Sequence, residues 1–194
     1  MSSSFSRFSK EAYYEQRSIQ PRELNVFAAA ARFIYLNKTC FNGLYRENKK
    51  GEFNVPIGKF KSPPTICDEK NLVAVGLMLK SVQLFSGDFE STMSHATKGD
   101  FVYCDPPYVP VSGTANFTAY TKSSFGPAEQ ERLCDVALRC ARRGVRVMLS
   151  NSDTPLVKKL YGKDFGIQRV EARRAINSKA SRRGNVGELV ITSY

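Results

Sequence analysis

The sequence has few of the residues and segments that build metal centres, disulfide frameworks and membrane spans. Its single histidine, His95, has no obvious partner, so we expect it on a helix surface rather than as a ligand or base. The five cysteines form no Cys-x-x-Cys or Cys/His spacing, which predicts reduced thiols and no structural zinc. No apolar run approaches a membrane span, and residues 1–4 lack a signal-peptide core. These absences predict a cytoplasmic protein with no metal and no membrane partner.

The charge balance is strongly basic. The 194 residues carry 29 Lys and Arg against 18 Asp and Glu, a net charge of +11. Such an excess favours a polyanionic partner, because each neutralised phosphate releases condensed counterions. A basic soluble protein without such a partner is the alternative. The length and the 42% hydrophobic fraction predict one globular domain over residues 1–194.

Residues 101–108, FVYCDPPY, are the most informative stretch. Four residues suited to a buried strand lead into Asp105, and Pro106 cannot continue a strand ladder. Ligands of open α/β sheets bind at the carboxyl ends of strands. The Asp105 carboxylate, backbone carbonyls fixed by Pro106 and Pro107, and the Tyr108 ring would form a pocket for a planar base that carries an amine. The alternative is an acidic strand end followed by a surface turn.

A second stretch, residues 38–62, has no helical or strand periodicity and alternates basic residues with aromatics, amides and glycines. A long irregular segment within a compact domain is commonly functional. Arg, Lys and Asn side chains contact phosphates and base edges, and aromatic rings stack on bases. The segment therefore favours DNA recognition, with a β-hairpin that has a solvated basic face as the alternative.

The remaining chain predicts alternating helices and strands. An acid just past a strand end, as at Asp88, commonly caps the following helix. The predicted buried face of the third helix is formed by Leu72, Val75, Leu79 and Val82. The predicted elements are helices at 10–16, 21–37, 69–80 and 127–143, a helix capped by Asp153 or Thr154 and ending at 161, and strands at 82–86, 101–104, 145–150, 166–170 and 188–192.

Several of these segments together resemble one family. The DPPY at 105–108 resembles the motif of amino-directed DNA methyltransferases that use S-adenosylmethionine. The runs NGLYR at 42–46 and GEFNVPIGKF at 51–60 are similar to the NGLxR…GxFNxPxG signature of Dam-type, D12-class adenine methyltransferases. The family's order also has a GDF-like turn, an SxTANFTAY loop and an LSNxDT motif, which match residues 87–89, 112–120 and 149–154.

This resemblance implies an α/β fold with a Rossmann-like, mainly parallel methyltransferase sheet, helices on both faces and a DNA-recognition region inserted at 38–62. It implies transfer of a methyl group from S-adenosylmethionine to the exocyclic amine of a flipped adenine in double-stranded DNA, within GATC. The catalytic residues would be Asp105, Pro106, Pro107 and Tyr108. The donor would be bound by Asp88, which accepts from its adenine amino group, by Phe89 against its ring, and by Asp105.

The resemblance also implies DNA contacts. Phe41 would insert into the duplex, Asn42 and Leu44 would lie against the central bases, and Arg46 would hold a guanine. Lys59 stands where the family often has arginine, and lysine lacks the planar guanidinium fork. The full DNA-binding set is Phe41, Asn42, Leu44, Arg46, Pro56, Lys59, Ser112, Thr114 and Asn116. The basic residues near the end of the chain would clamp phosphates: Arg169, Arg173, Arg174, Lys179, Arg182 and Arg183.

Two family features are missing from the sequence. There is no KWxGGK-like start and no FxGxG loop, and no Gly-x-Gly occurs anywhere. The sequence therefore predicts a sheet that is incomplete at its N-terminal side. Three explanations remain: a truncated gene, a split enzyme completed by an N-terminal polypeptide, or an inactive DNA-binding remnant. A different amine substrate, in cytosine, RNA or glutamine, is a further alternative.

Overall fold

The computed structural model describes residues 8–48, 50–111, 125–173 and 185–194. These residues form two compact units, one within residues 8–84 and the other within residues 85–194. The described helices are α1 (Lys10–Ser18), α2 (Val26–Thr39), α3 (Glu69–Leu79), α4 (Phe89–Ser94), α5 (Pro127–Arg142) and α6 (Pro155–Tyr161). The described strands are β1 (Phe101–Cys104), β2 (Arg146–Ser152), β3 (Gly166–Arg173) and β4 (Asn185–Thr192).

The start of α2 differs from the expectation. Pro21 begins only a short 3-10 turn that ends at Glu23, and the backbone is extended at Leu24 and Asn25. The side chain of Asn25 then accepts a hydrogen bond from the backbone N–H of Ala28 over 2.9 Å. The helix begins after Asn25 because this cap satisfies a free N–H of the first turn, whereas Gln20 supplies no side-chain cap for Pro21.

The first unit has a small core in which α1 packs on α2. The core residues are Tyr13, Tyr35, Leu36, Cys40, Phe53 and Val55. Arg32 is buried against this core, and its guanidinium donates to the carbonyls of Gln16 and Arg17 over 2.8 and 3.1 Å. These carbonyls lie in the last turn of α1, where free carbonyls attract a cation. Arg32 therefore fastens the end of α1 to α2.

Helix α3 has the predicted bounds but not the predicted burial. The side chains of Leu72, Val75, Leu79 and Val82 are 39–52% exposed. Periodicity reports an apolar stripe along a helix, but it does not report whether another element covers that stripe. The strand expected at 82–86 is also wrong, since these residues have no strand pairing and follow α3 as irregular backbone.

The second unit contains a four-stranded sheet in the order β1-β2-β4-β3. β1 pairs with β2 in parallel, whereas β4 pairs antiparallel with both β2 and β3. The sheet of the described residues is thus mixed and mostly antiparallel, and the expected mainly parallel Rossmann-like sheet is not confirmed. Strand direction is set by how the chain returns to the sheet, which the residue pattern of a strand does not encode.

The helices around this sheet follow the predictions closely. α5 begins at Pro127 and ends near Gly144, whose φ of +83° suits glycine. Thr154, rather than Asp153, caps α6 by accepting from the N–H of Val157 over 3.3 Å. The core that these helices share with the sheet includes Leu133, Val136, Ala137, Val147, Leu149, Val157, Leu189 and Ile191.

Candidate active site and nucleic-acid interface

The Asp105 carboxylate lies immediately beyond the last residue of β1, as the sequence predicted. It is exposed, and its Oδ1 accepts a hydrogen bond from the hydroxyl of Ser150, in β2, over 3.2 Å. The Ser150 oxygen also lies 3.0 Å from the Tyr103 hydroxyl. Parallel pairing of β1 with β2 brings these side chains to one edge of the sheet. The carboxylate is therefore oriented from one side and open to a ligand on the other.

Tyr108 is half-buried three residues farther along the chain. Burial raises the pKa of its hydroxyl, and the hydrogen bond with Ser150 works in the opposite direction. The net rise keeps the phenol neutral at physiological pH. A neutral, partly exposed ring suits stacking on a base, and the geometry gives no indication that Tyr108 acts as a proton acceptor.

The backbone around Tyr108 is held by two side chains to which the sequence analysis gave no role, Gln130 and the Asn151 of the LSNxDT motif. Gln130 in α5 donates to the carbonyl oxygen of Pro107 over 2.8 Å. The backbone N–H of Val109 donates to Oδ1 of Asn151, in β2, over 3.0 Å. The motif that supplies Tyr108 is thus anchored on both sides of that residue by buried amides.

The GDF turn at 87–89 has two structural roles. Asp88 caps α4, since its Oδ1 accepts from the N–H of Glu90 over 2.9 Å. Arg132 of α5 also donates to both Asp88 oxygens, over 3.0 and 2.6 Å. The hydrogen bonds from Arg132 are the main reason that the pKa of Asp88 is lowered, followed by the backbone bond from Glu90.

The same arginine packs over the neighbouring aromatic ring. The central carbon of the Arg132 guanidinium lies 4.2 Å from the centroid of Phe89, which is a cation–π distance. Glu90 and Glu129 also accept from Arg132, over 3.2 and 2.8 Å. Phe89, in turn, packs against the core of the unit. Arg132 therefore sets the positions of both residues that were predicted to hold the donor's adenine.

Helix α4 contacts strand β1 through the sulfur atoms of two side chains. The Sγ of Cys104, the last residue of β1, lies 3.8 Å from the Sδ of Met93. Burial raises the pKa of the Cys104 thiol to about 11, so this group is a packing residue and not a nucleophile. The contact fixes α4, which begins at the GDF turn, against the strand that leads into Asp105.

The segment at 38–62 is ordered by two isolated antiparallel bridges, Cys40 with Ile57 and Glu47 with Phe53. In the loop that the Glu47–Phe53 bridge closes, the side-chain carbonyl oxygen of Asn48 accepts from the N–H groups of Lys50 and Glu52 over 2.9 and 3.0 Å. These bonds form a tight turn, because an Asn side chain can replace a backbone acceptor there. The segment therefore has the shape of a short, irregular hairpin.

Aromatic side chains stabilise this hairpin by packing on the side that faces α2. The Tyr45 ring lies 4.7 Å from Phe33 of α2 and 4.7 Å from Phe53. Phe53 and Val55 are buried, and the carbonyl of Val55 accepts from the Tyr13 hydroxyl over 2.9 Å. One side of the hairpin is therefore part of the core of the first unit.

The predicted DNA-contacting residues of this segment lie on its exposed positions. Those residues are Phe41, Asn42, Leu44, Arg46, Pro56 and Lys59. Asn42 has a φ of +57°, and Nε of Arg46 donates to the side chain of Asn54 over 2.9 Å. This bond uses one of the five guanidinium donors and leaves its two NH₂ groups for another partner.

Some of the predicted contacts lie outside the described residues. These are Ser112, Thr114 and Asn116 of the loop after DPPY, and Arg174, Lys179, Arg182 and Arg183 of the basic segment.

Arg169 lies in β3 and forms an ion pair with Asp153 over 3.2 Å, and Lys158 binds the same carboxylate over 2.6 Å. His95 is exposed at the end of α4 and stacks on Phe85.

The described residues contain neither a helix that could span a membrane nor a cluster of metal ligands. None of the helices in the described ranges is long and apolar enough to cross a membrane. Within the same ranges, no group of three or more His, Cys, Asp or Glu side chains is arranged to hold a metal ion.

The chain is similar to several proteins that are named as methyltransferases or methylases. The chain is 43% identical over 192 residues to the type II methyltransferase M1.LlaDCHI of Lactococcus lactis subsp. cremoris, a match over 96% of this chain and 67% of that protein. It is 44% identical over 190 residues to the type II methyltransferase M.MjaIII of Methanocaldococcus jannaschii, over 95% and 65%. It is 37% identical over 180 residues to the DNA adenine methylase of Escherichia coli K12, over 93% and 64%.

The chain therefore spans about two thirds of the length of these relatives. The family model for D12-class N6 adenine-specific DNA methyltransferases matches residues 3–176, which include the hairpin at 38–62, the GDF turn and DPPY. The chain belongs to the D12 class of N6 adenine-specific DNA methyltransferases.

Proposed function

We propose that this chain carries the target-base pocket, the DNA-contacting hairpin and the adenine end of the donor site of a DNA adenine N6-methyltransferase. The methyl donor is S-adenosylmethionine and the substrate is adenine in a GATC duplex. The observation that carries this proposal is the exposed Asp105 carboxylate at the end of β1, oriented by Ser150. A carboxylate in this position can accept hydrogen bonds from the exocyclic amine of a base.

The pocket acts mainly by positioning. Extruding the adenine from the duplex costs a few kcal/mol, which stacking and hydrogen bonds in the pocket offset. Tyr108 stacks on the base, and Asp105 and the Pro106 carbonyl accept from its amino group. Those hydrogen bonds direct the nitrogen lone pair out of the ring plane and toward the methyl group. The bond from nitrogen to the methyl carbon would form as the carbon–sulfur bond of the sulfonium breaks, which leaves a neutral thioether. No strong base is required, since nitrogen becomes cationic before its proton leaves to the Asp105 carboxylate or to water, and catalysis rests on orientation and electrostatics.

The residues of the GDF turn fit the adenine end of S-adenosylmethionine, which supplies the methyl group as a sulfonium. A carboxylate offers about four acceptor positions, and Asp88 uses three of them, for Glu90 and twice for Arg132. The remaining position accepts from an exocyclic amine. Phe89 supplies an adjoining apolar ring, held from one face by Arg132.

The hairpin supplies DNA contacts from its exposed residues. Phe41 wedges into the duplex, Arg46 binds a guanine edge, and Lys59 contributes charge without a bidentate fork. Discrimination among GATC-like sites consequently depends on Arg46 more than on Lys59. The net charge of +11 favours association with the duplex and makes it salt-dependent.

Calorimetric titration with S-adenosylmethionine, with and without a GATC duplex, tests the proposal. Saturable donor binding is expected, followed by methylation of GATC duplex in preference to scrambled duplex, single-stranded RNA or a glutamine peptide. DNA binding without donor binding would contradict an enzymatic role for this chain and would identify a recognition module. Methylation of the RNA or the peptide would contradict the substrate.

A further inference from the structure

Two fully buried amides hold the backbone on either side of Tyr108. Gln130 is 0% exposed and Asn151 is 1% exposed. Gln130 Nε2 donates to the Pro107 carbonyl over 2.8 Å, and the Val109 N–H donates to Asn151 Oδ1 over 3.0 Å. Pro107 and Val109 are the immediate neighbours of Tyr108, so the two bonds bracket that residue.

The amides are also bonded to each other. Asn151 Nδ2 donates to Gln130 Oε1 over 3.1 Å, and Asn151 Oδ1 accepts a second bond, from the N–H of Ser152, over 2.9 Å. Each amide oxygen therefore accepts and each amide nitrogen donates, which fixes both side-chain orientations. A buried network in which the partners satisfy each other is rigid, whereas one lost partner leaves an uncompensated polar group.

Neither amide is required by its own secondary structure. Gln130 lies three and four residues before Leu133 and Cys134 on the buried stripe of α5, and Asn151 continues the alternation of Val147 and Leu149 along β2. An aliphatic side chain at either position would avoid the desolvation cost of a buried amide. The amides are therefore explained by the backbone groups of the DPPY segment that they bind.

We infer that Gln130 and Asn151 are positioning residues that set the orientation of Tyr108 by clamping the backbone from Pro107 to Val109. Neither side chain touches the base; both act through Tyr108. The inference rests on the proposed function, in which the Tyr108 ring stacks on the extruded adenine. Because a small displacement of a positioning group slows a reaction sharply, loosening the clamp impairs the chemical step more than donor binding.

Gln130→Met tests the clamp, because it removes both hydrogen bonds of Gln130 and keeps a side chain of similar length. Leu133→Ala is the matched control: it lies one turn farther along α5, is equally buried and leaves a cavity in the same core without removing a side-chain hydrogen bond to the DPPY segment. Gln130→Glu, which keeps the length and an acceptor for Asn151, replaces Gln130→Met if the latter does not fold.

Two readouts are compared at equal folded fractions. We expect Gln130→Met to speed amide hydrogen exchange in a peptide covering 105–111 and to lower kcat about 10- to 100-fold, with KM for S-adenosylmethionine unchanged. Leu133→Ala should lower the melting temperature and leave both readouts unchanged relative to the wild type. A 2-aminopurine at the target position should still show base extrusion by Gln130→Met, now with poorer quenching by stacking.

Three results would overturn the inference: unchanged exchange at 105–111 in Gln130→Met, unchanged kcat despite faster exchange, or equal losses in Leu133→Ala. The failure of the proposed function is distinguishable, because then the wild-type chain itself transfers no methyl group. In that case exchange alone decides whether the clamp exists, and unchanged exchange still refutes it.

Discussion

The Ser150 hydroxyl donates to Oδ1 of Asp105 over 3.2 Å and lies 3.0 Å from the hydroxyl of Tyr103. Tyr103 precedes Asp105 by two residues along the end of β1 and its extension, so strand β1 supplies two partners of one serine in β2. This triad gives the carboxylate a preferred orientation without covering it.

Ser150→Ala should therefore slow methyl transfer while leaving DNA affinity unchanged. A hydrogen bond to a charged group contributes about 1.5–3 kcal/mol, which corresponds to about 10- to 100-fold in rate if it is needed only for the reactive geometry. Single-turnover methylation at saturating donor measures this loss. Ser193→Ala is a matched control, since Ser193 accepts from the N–H of Val147 in the same sheet. Equal rates for both variants would show that Ser150 does not orient Asp105.

Arg132→Gln should weaken donor binding by about two- to fivefold, the range of exposed ion pairs, and raise KM for the donor more than it lowers kcat. The cause is the loss of the bonds that orient Asp88 and of the cation that packs over Phe89. Calorimetry with S-adenosylmethionine measures the change. Arg139→Gln is the matched control, because Arg139 lies on the same helix as Arg132, α5, and pairs with Glu90 of α4. This variant should leave donor affinity close to that of the wild type.

The same arginine gives a pH-dependent effect. Arg132 lowers the pKa of Asp88 in the folded chain below its ordinary value of 3.8, so this pairing stabilises the fold above that value and the contribution is lost as pH falls through the folded-state pKa. The stability difference between the wild type and Arg132→Gln should shrink from about pH 6 to about pH 3 in urea titrations. A difference that grows on acidification would contradict the assignment. High salt should also reduce it.

Gly58→Ala should destabilise the first unit by about 1–3 kcal/mol. A Cβ at Gly58 would lie 2.9 Å from the backbone oxygen of Cys40 and 2.6 Å from the Phe60 ring, and the ring can rotate away but the carbonyl cannot. Gly76→Ala, in α3 with open space around it, should be neutral or stabilising by up to about 1 kcal/mol. Thermal unfolding measures both, and similar melting temperatures would refute the close packing of the hairpin.

Arg46→Lys should relax sequence discrimination by about 1–3 kcal/mol at one guanine, because lysine cannot form the bidentate contact. Lys59→Gln should instead weaken binding to all duplexes alike and reduce the salt slope by about one. Competition binding with single-base variants of GATC at several salt concentrations separates these effects. Uniform weakening by Arg46→Lys would show that Arg46 contacts phosphate and not a base.

Local signals made the second unit more predictable than the first. α5, α6 and β2 were predicted within two residues of their observed bounds because Pro127, Gly144 and Thr154 mark boundaries by their own backbone or side-chain chemistry. Asp88 was correctly expected as a helix cap for the same reason. Its pairing with Arg132, 44 residues away, depends on tertiary structure and has no local signal.

The predictions that the structure did not confirm failed for specific physical reasons. The stripe of α3 predicted burial, but amphipathicity does not reveal whether a partner covers it. The antiparallel position of β4 could not be read from its residues, since strands of either direction share the same pattern. Gln130 and Asn151 did leave a signal, because each places an amide on an otherwise apolar stripe. A buried polar residue of that kind indicates a specific hydrogen-bonding partner.

The most direct test of the central claim compares the wild type with Asp105→Ala in transfer of a labelled methyl group from S-adenosylmethionine to a GATC duplex. DNA affinity is measured on the same preparations. We predict that the wild type labels the duplex, and that Asp105→Ala abolishes labelling while retaining DNA affinity within about twofold, since in the proposed pocket the Asp105 carboxylate contacts the extruded base and not the DNA backbone. Methylation by Asp105→Ala at the wild-type rate would contradict the proposed pocket.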